Sequence, residues 1–306
     1  MEVTNYDKHS YDYSTYWKNR AYEDIAEKIV LEKLMHNVQG DWFIDIGGSF
    51  GRNTPIYSKR FKNCIIGDYS IQTLIKYRKE IKRISPNVEL IALNAYYLPF
   101  KNNVFDGALL VRVLHHLNNP EQYTKELGRI LNINSIYIQE FANKVHIKAA
   151  IKNLLKLNFK FFNETPYQQP SQGYNEGNDN DGSIFLNFHP NHIKRLFTQN
   201  GLSIVDRVGA SYLRIPILKR FVKTEVLISI ERLLQLIFKY TYVSPSIFFK
   251  AIMRKHGMKS SGYNTLNDIL CCPKCNGELL FKDSECLCSK CKKKYIKTKG
   301  VWDFRI

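Results

Sequence analysis

Acidic residues are scarce in this 306-residue chain: 28 aspartates and glutamates stand against 45 lysines and arginines, a formal net charge of +17. No run of 18 uncharged apolar residues occurs, so no membrane-spanning helix is expected. The first 20 residues are polar and aromatic with no apolar core segment, so no signal peptide is expected there. Cysteine is nearly absent outside one cluster: six of seven lie between Cys271 and Cys291, and Cys64 alone stands in a strand pattern. That clustering points to metal ligation in a reducing cytoplasm and away from a disulfide frame.

The charge excess is uneven. Residues 1–140 hold 18 basic and 16 acidic residues, 141–260 hold 18 and 7, and 261–306 hold 9 and 5. A nearly neutral first half thus precedes strongly cationic segments, whose natural partner is phosphate or an anionic lipid surface. A Lys-rich source proteome would give the same composition.

The rest of the chain reads as serving Phe43-Ile44-Asp45-Ile46-Gly47-Gly48-Ser49-Phe50-Gly51-Arg52. Its apolar residues make a short buried strand, and the glycines make a tight turn without side-chain walls. Helix amides nearby would face a ligand across that turn. Asp45 puts a carboxylate inside the strand end, where a buried charge needs a partner. A second strand, 63–68, ends on Asp68, 21 residues after Gly47. An acid about 20 residues past such a turn can accept both hydroxyls of a ribose. The dinucleotide fingerprint G-x-G-x-x-G is broken, because Ser49 occupies its second glycine, and an NAD oxidoreductase is therefore disfavoured.

The third stretch is Leu98-Pro99-Phe100, a polar turn, Phe105-Asp106, a buried strand, and Leu114-His115-His116-Leu117. With Asp45–Gly51 and Asp68, it resembles the class I S-adenosylmethionine-dependent methyltransferases of the type 11 branch over about residues 40–140. The resemblance implies an α/β fold, a doubly wound Rossmann-like sheet with helical insertions. It also implies roles. Asp45, Gly47, Gly48 and Gly51 would hold the methionine half of S-adenosylmethionine, Asp68 with Tyr69 the ribose, and Asn94-Ala95 the adenine. Arg112 and Val113 would line the methyl-transfer site. The family's usual Gly and Asp are replaced here by Ser49 and Asn94.

Alternating patterns give strands over 41–46, 63–68, 88–93, 104–111 and 134–141, with helices over 52–61, 70–83 and 120–131. From Ser14 to Met35, apolar residues recur at helical spacing. In the family such a helix folds over the cofactor, and its aromatics would cap a sulfonium by cation–π contact; packing on the sheet edge is the alternative. A basic amphipathic segment runs from Ala142 to Phe162. Residues 163–183 are polar and read as a lid over the acceptor. Residues 185–199 open a helix, 202–209 read as a strand, and 217–240 read as one long amphipathic helix. Its apolar face carries Val226, Leu227, Ile230, Leu233, Leu234, Ile237 and Phe238. Thr224, Glu225, Glu231, Arg232, Gln235 and Lys239 lie opposite. That helix either seats on a membrane surface, lines a greasy acceptor pocket, or packs on the catalytic domain.

Two C-x-x-C knuckles, Cys272–Cys275 and Cys288–Cys291, can close a saturated, structural zinc site. Cys271 and Cys286 are spare. Residues 272–304 resemble the small zinc-ribbon proteins that activate tRNA and protein methyltransferases, here fused in cis. The expected division is a methyltransferase domain over 1–258, with core 40–140 and acceptor-side elements 142–258, followed by a ribbon over 266–306.

Candidate general bases are His115, His116, His146 and His189. His189 is favoured for its place beside the lid, and His116 is expected to point inward. No Asn-Pro-Pro-Tyr or Pro-Cys motif is present for the methylations that depend on them. The expected activity is S-adenosylmethionine-dependent methyl transfer. A lipid-like, glycan-linked or other small-molecule acceptor near a membrane is favoured. RNA bound by the basic segments and ribbon is one alternative, and a catalytically silent binding protein is another. The expected location is the cytoplasm or the membrane periphery.

Overall fold

The computed structural model describes residues 13–169, 184–256 and 262–306. The stretches 170–183, most of the expected lid, and 257–261, at the expected domain boundary, lie outside the described residues, as do Tyr6 and Tyr11.

Helices α1 (Tyr13–Tyr16) and α2 (Ala21–Leu34) lead into β1 (Gly40–Ile46), α3 (Thr54–Tyr57), β2 (Phe61–Asp68), α4 (Ile71–Ile84), β3 (Val88–Ala92) and β4 (Phe105–Leu110). Then follow α5 (Pro120–Ile130), β5 (Leu131–Ala142), α6 (Ile147–Leu155), β6 (Tyr167–Gln168), β7 (Leu186–Asn187), α7 (Pro190–Gln199) and β8 (Leu202–Ala210). The chain continues through α8 (Pro216–Phe221), α9 (Thr224–Ile237), β9 (Ser246–Met253), α10 (Leu266–Ile269) and β10 (Leu279–Lys282). It ends with β11 (Glu285–Cys288), β12 (Lys294–Thr298) and β13 (Val301–Asp303).

One sheet has the order β10-β11-β12-β13-β3-β2-β1-β4-β5-β9-β8. Its centre, β3-β2-β1-β4-β5, is parallel, and β9 and β8 close one edge antiparallel. This is the expected doubly wound sheet. The parallel strands are apolar on both faces because helices cover both: Ile44, Ile65 and Ala108 serve one core, Phe43, Ile66 and Leu109 the other. Helix starts follow their caps. The Ser70 hydroxyl accepts from Thr73 N at 3.1 Å, and Asn119 accepts from Gln122 N at 2.9 Å ahead of Pro120.

The sequence expectation fails at three places. The helix expected over 52–61 is a single turn, α3. Tyr57 and Phe61 both stack on Phe43, at 4.7 and 4.6 Å between centroids, and this draws the chain back into the sheet. The helix expected from 185 starts at Pro190, because Leu186–Asn187 pairs with Tyr167–Gln168 and His189 takes the cap. The single helix expected over 217–240 is two, broken at Val222, whose extended backbone leads into the cluster of Tyr22, Ala26, Leu227 and Ile228.

The division between 1–258 and 266–306 separates chain segments but not cores. Strand β13 pairs parallel with β3, Trp302 opposite Ile91 and Asp303 opposite Ala92. Cys272, Tyr295, Trp302 and Phe304 share a core with Leu98 and Phe100. Among the described residues, no helix is long and apolar enough to cross a membrane.

Candidate functional site

The carboxyl ends of β1, β2 and β4 meet around the glycine turn. Gly47, at φ +74°, donates to Gly67 O at 2.6 Å. A Cβ there would sit 2.2 Å from Val113 Cγ2, so the missing side chain lets the end of β4 close against the loop. Gly48 abuts Asp45: a Cβ would be 3.0 Å from Asp45 Oδ2 and from Ile66. Ser49 adopts φ +49°, the left-handed conformation that explains the glycine usual at this position.

Asp68 ties the turn to β2. Its Oδ2 accepts from Ser49 N at 2.9 Å and its Oδ1 from Ser70 N at 2.8 Å. Asp45 is buried, and its Oδ2 has no hydrogen-bond partner among the described residues. Burial pushes its carboxyl up to about 7. The Tyr57 hydroxyl and Arg52 oppose that shift, and the Asp68 charge adds to it. Asn94 is buried, and its Oδ1 accepts from Tyr96 N at 3.0 Å, shaping the turn after β3. Ala95 is also buried. Tyr69 lies under Arg305, which donates to Tyr69 O at 3.0 Å, so the chain's last residues border this corner.

Arg112 follows β4 at φ +62°. Its amide donates to Glu140 Oε2 at 3.0 Å, and its Nε donates to Glu27 Oε1 at 2.8 Å. The same Glu27 accepts from Arg52 Nη2 at 2.7 Å. The guanidinium is thus committed to α2, and Arg112 positions the end of β4. The N-terminal aromatics follow suit. Trp17 stacks under Arg52 at 3.7 Å and Tyr16 under Arg20 at 4.0 Å, so their cation–π contacts go to arginines of the chain itself.

His116 Nδ1 bonds to Ile184 O at 3.1 Å, and its ring lies 4.1 Å from that of His115. Burial lowers the His116 pKa to about 4. His115 is also lowered, by burial and then by His116, Arg112 and Arg214. His116 is therefore neutral at pH 7. With the Nδ1 proton given to the carbonyl, Nε2 is left as an acceptor. His189 caps α7, its Nδ1 accepting from Asn191 N at 3.1 Å, among Glu164, Lys144, Lys194 and His192. His146 is lowered by burial, with Lys148 and Arg214 adding to the effect. Lys144 anchors the described base of the expected lid, holding Asn163 O, Asn163 Oδ1 and Thr165 O at 2.8 Å each.

Glu27, Arg52, Glu140 and Arg214 were not singled out by sequence. The i, i+4 pair Glu23–Glu27, continuing the buried stripe Val30 and Leu34, is the signal that marks Glu27.

At the other end of the sheet, the Sγ atoms of Cys272, Cys275, Cys288 and Cys291 all lie within 4.8 Å of one another. Cys272–Cys291 is 3.6 Å and Cys275–Cys288 is 3.4 Å. A tetrahedral ion with metal–sulfur bonds of about 2.3 Å needs edges of roughly 3.8 Å, which these thiols nearly meet. Gly277 lets them converge, since a Cβ there would sit 2.9 Å from Cys288 Sγ. Cys271 and Cys286 are buried outside the quartet.

Residues 44–138 match the methyltransferase domain family. Two uncharacterized proteins of Methanocaldococcus jannaschii are 33% and 32% identical over 156 and 157 residues, about half of this chain and 57% and 64% of their own lengths. A SAM-dependent methyltransferase of Thermotoga maritima superposes with TM-score 0.52 at 15% identity, over 81% of this chain and 98% of its own. A chain from the Haloferax volcanii complex containing the Trm112 methyltransferase activator superposes with TM-score 0.53 at 11% identity, over 80% and 96%. These likenesses show the fold, a Rossmann-like methyltransferase sheet.

Proposed function

We propose that the methyltransferase domain at residues 44–138 uses S-adenosylmethionine to methylate a small, lipid-like or glycan-linked acceptor. The observation that carries this is the Asp45 carboxylate: buried, with Oδ2 lacking a partner among the described residues, against the glycine turn. A cationic amino group is the natural complement of such an oxygen. On this reading Asp45, Gly47, Gly48 and Gly51 receive the methionine half. Asp68 and Tyr69 take the ribose, and Asn94 and Ala95 the adenine. Val113 borders the reacting centre, and Arg112 keeps the end of β4 in place through Glu27.

When bound, the cofactor supplies an electrophilic methyl on a sulfonium, which leaves as a neutral thioether when the acceptor attacks. The chain's own contribution is alignment and exclusion of water, the main source of acceleration for an in-line displacement. A proton released by the acceptor can pass to a neutral histidine. His189, beside the expected lid, and His116, after β4, are the candidates, and burial makes His116 the weaker base, with its pKa lowered to about 4. The four cysteines would hold one structural zinc ion, closing the ribbon.

Calorimetric titration with S-adenosylhomocysteine tests the cofactor reading. Binding by the wild type and a loss of about tenfold to a hundredfold in Asp68→Ala are expected, since charge-assisted bonds contribute about 1.5–3 kcal/mol each. Absence of binding to the wild type would overturn it. Labelled methyl transfer into fractionated cell extract, with lipid, RNA and protein counted separately, then tests the acceptor class.

A further inference from the structure

Within 217–240, most of the expected apolar face of α9 is left exposed. In α9 the buried residues are Leu227, Ile228, Glu231 and Gln235. Glu231 accepts from Ser211 N at 2.8 Å, Tyr212 N at 3.1 Å and Gln235 Nε2 at 3.0 Å. It also accepts from the Tyr22 hydroxyl. The docked face is therefore mixed, with Leu227 and Ile228 beside Glu231 and Gln235, while Leu233, Leu236 and Ile237 are exposed at 55%, 66% and 59%.

Two neighbouring helices are likewise uncovered. No residue of α6 or α8 is buried, although Ile151 and Leu155 project from α6 and Phe221, 76% exposed, from α8. The start of α6 is tied to the loops that flank the other two helices: Ile147 N donates to Val243 O, after α9, at 3.0 Å, and Lys148 Nζ to Arg214 O, before α8, at 3.5 Å. A nine-residue helix with nothing buried has little reason to persist in water, because short helices depend on packing of their apolar face.

We propose that the joint face of α6, α8 and α9 seats on an anionic lipid bilayer. Charge complementarity selects this occupant. The exposed aliphatics are flanked by exposed Lys152, Lys156, Arg220 and Lys223. The segment 144–163 contains five lysines and no acid, and from 213 to 240 the acids are Glu225 and the buried Glu231. Apolar side chains among cations match an interface of acyl chains under anionic headgroups. A second copy of this chain would set the same cations against themselves across a twofold axis. The face adjoins the proposed acceptor side, since Arg214 bears on both His115 and His146. Seating there presents the site to a lipid-phase acceptor. The inference deepens the lipid-like acceptor reading, yet its test involves no methyl transfer.

The test is co-sedimentation of the full chain with phosphatidylcholine vesicles, with and without phosphatidylglycerol. Binding is expected to the anionic vesicles and to weaken as salt rises. Leu155→Glu with Leu236→Glu should lower partitioning by about tenfold or more, with circular dichroism, melting and S-adenosylhomocysteine binding unchanged because both side chains are exposed. Lys152→Glu with Lys156→Glu should weaken binding to anionic vesicles in the same way. Failure of the wild type to sediment, or equal sedimentation of the variants, overturns the proposal. So does a dimer in light scattering that the leucine substitutions dissociate, or bulk RNA binding that they abolish while vesicle binding persists. Loss of cofactor binding with vesicle binding intact would instead sink the methyltransferase reading alone.

Discussion

Arg112 Nε donates to Glu27 Oε1 at 2.8 Å, across 85 positions of sequence. This bond ties the end of β4 to α2. Because Glu27 also accepts from Arg52, one fully buried carboxylate fixes both walls of the glycine turn. Nearby charges decide its ionisation. Burial alone would raise the Glu27 pKa, but the guanidinium groups of Arg112 and Arg52 outweigh it and hold the carboxyl below its usual range.

Glu27→Gln is therefore expected to destabilise the protein by about 3–5 kcal/mol, since it strands partly buried cations. Glu225→Gln, at an exposed position of α9, should change melting little. The depressed Glu27 pKa adds stability above the ordinary carboxylate range, lost as pH falls through the lower folded value. Acid unfolding of wild type and Glu27→Gln should converge there. Equal melting temperatures at pH 7 would refute the clamp.

Asp45 has the opposite sign. Its folded pKa of about 7 lies above the ordinary 3.8. Its contribution to stability is therefore complete below the ordinary value and lost as pH rises to about 7. Cofactor-free Asp45→Asn should melt above wild type at pH 8, with the gap closing towards pH 4, while S-adenosylhomocysteine binding weakens. Parallel melting curves across that range would count against a buried carboxyl with its pKa raised to about 7.

Ser49 occupies left-handed backbone at φ +49°. Relief of about 1–2 kcal/mol of strain in Ser49→Gly is offset by glycine's extra chain entropy, so melting should stay level or rise slightly. Ser49→Val, β-branched in the same conformation, should melt clearly lower. Chemical denaturation of the two variants measures the difference.

The ribbon is expected to carry one zinc ion per chain. Because β13 pairs with β3 and Phe304 N donates to Ala92 O at 2.8 Å, chelation should lower the melting of the whole sheet in one coupled transition. Cys272→Ser should do the same, whereas Cys271→Ala should retain the metal. Metal analysis with calorimetry checks this, and a sheet melting unchanged by chelation would show that the ribbon is independent.

Local pattern carried much of the fold. The apolar strands, the Gly47–Gly51 turn, the acid at Asp68 and the two C-x-x-C knuckles are each set by neighbours within a few residues or by a fixed spacing, and all were legible in sequence. Chain periodicity also marked one amphipathic helix over 217–240, but neither its break at Val222 nor its orientation. Amphipathicity says which side chains share a face, while burial depends on what the rest of the chain brings to it. Tyr22, 209 positions from Glu231, and the amides of Ser211 and Tyr212 drew Glu231 of the polar stripe into the docked face beside Leu227 and Ile228. In the same way Glu27 chose the fate of Arg112, and the open edge of β3 chose where the ribbon would pair. Such outcomes rest on hydrogen-bond and charge partners distant in sequence, which only the tertiary structure brings within reach.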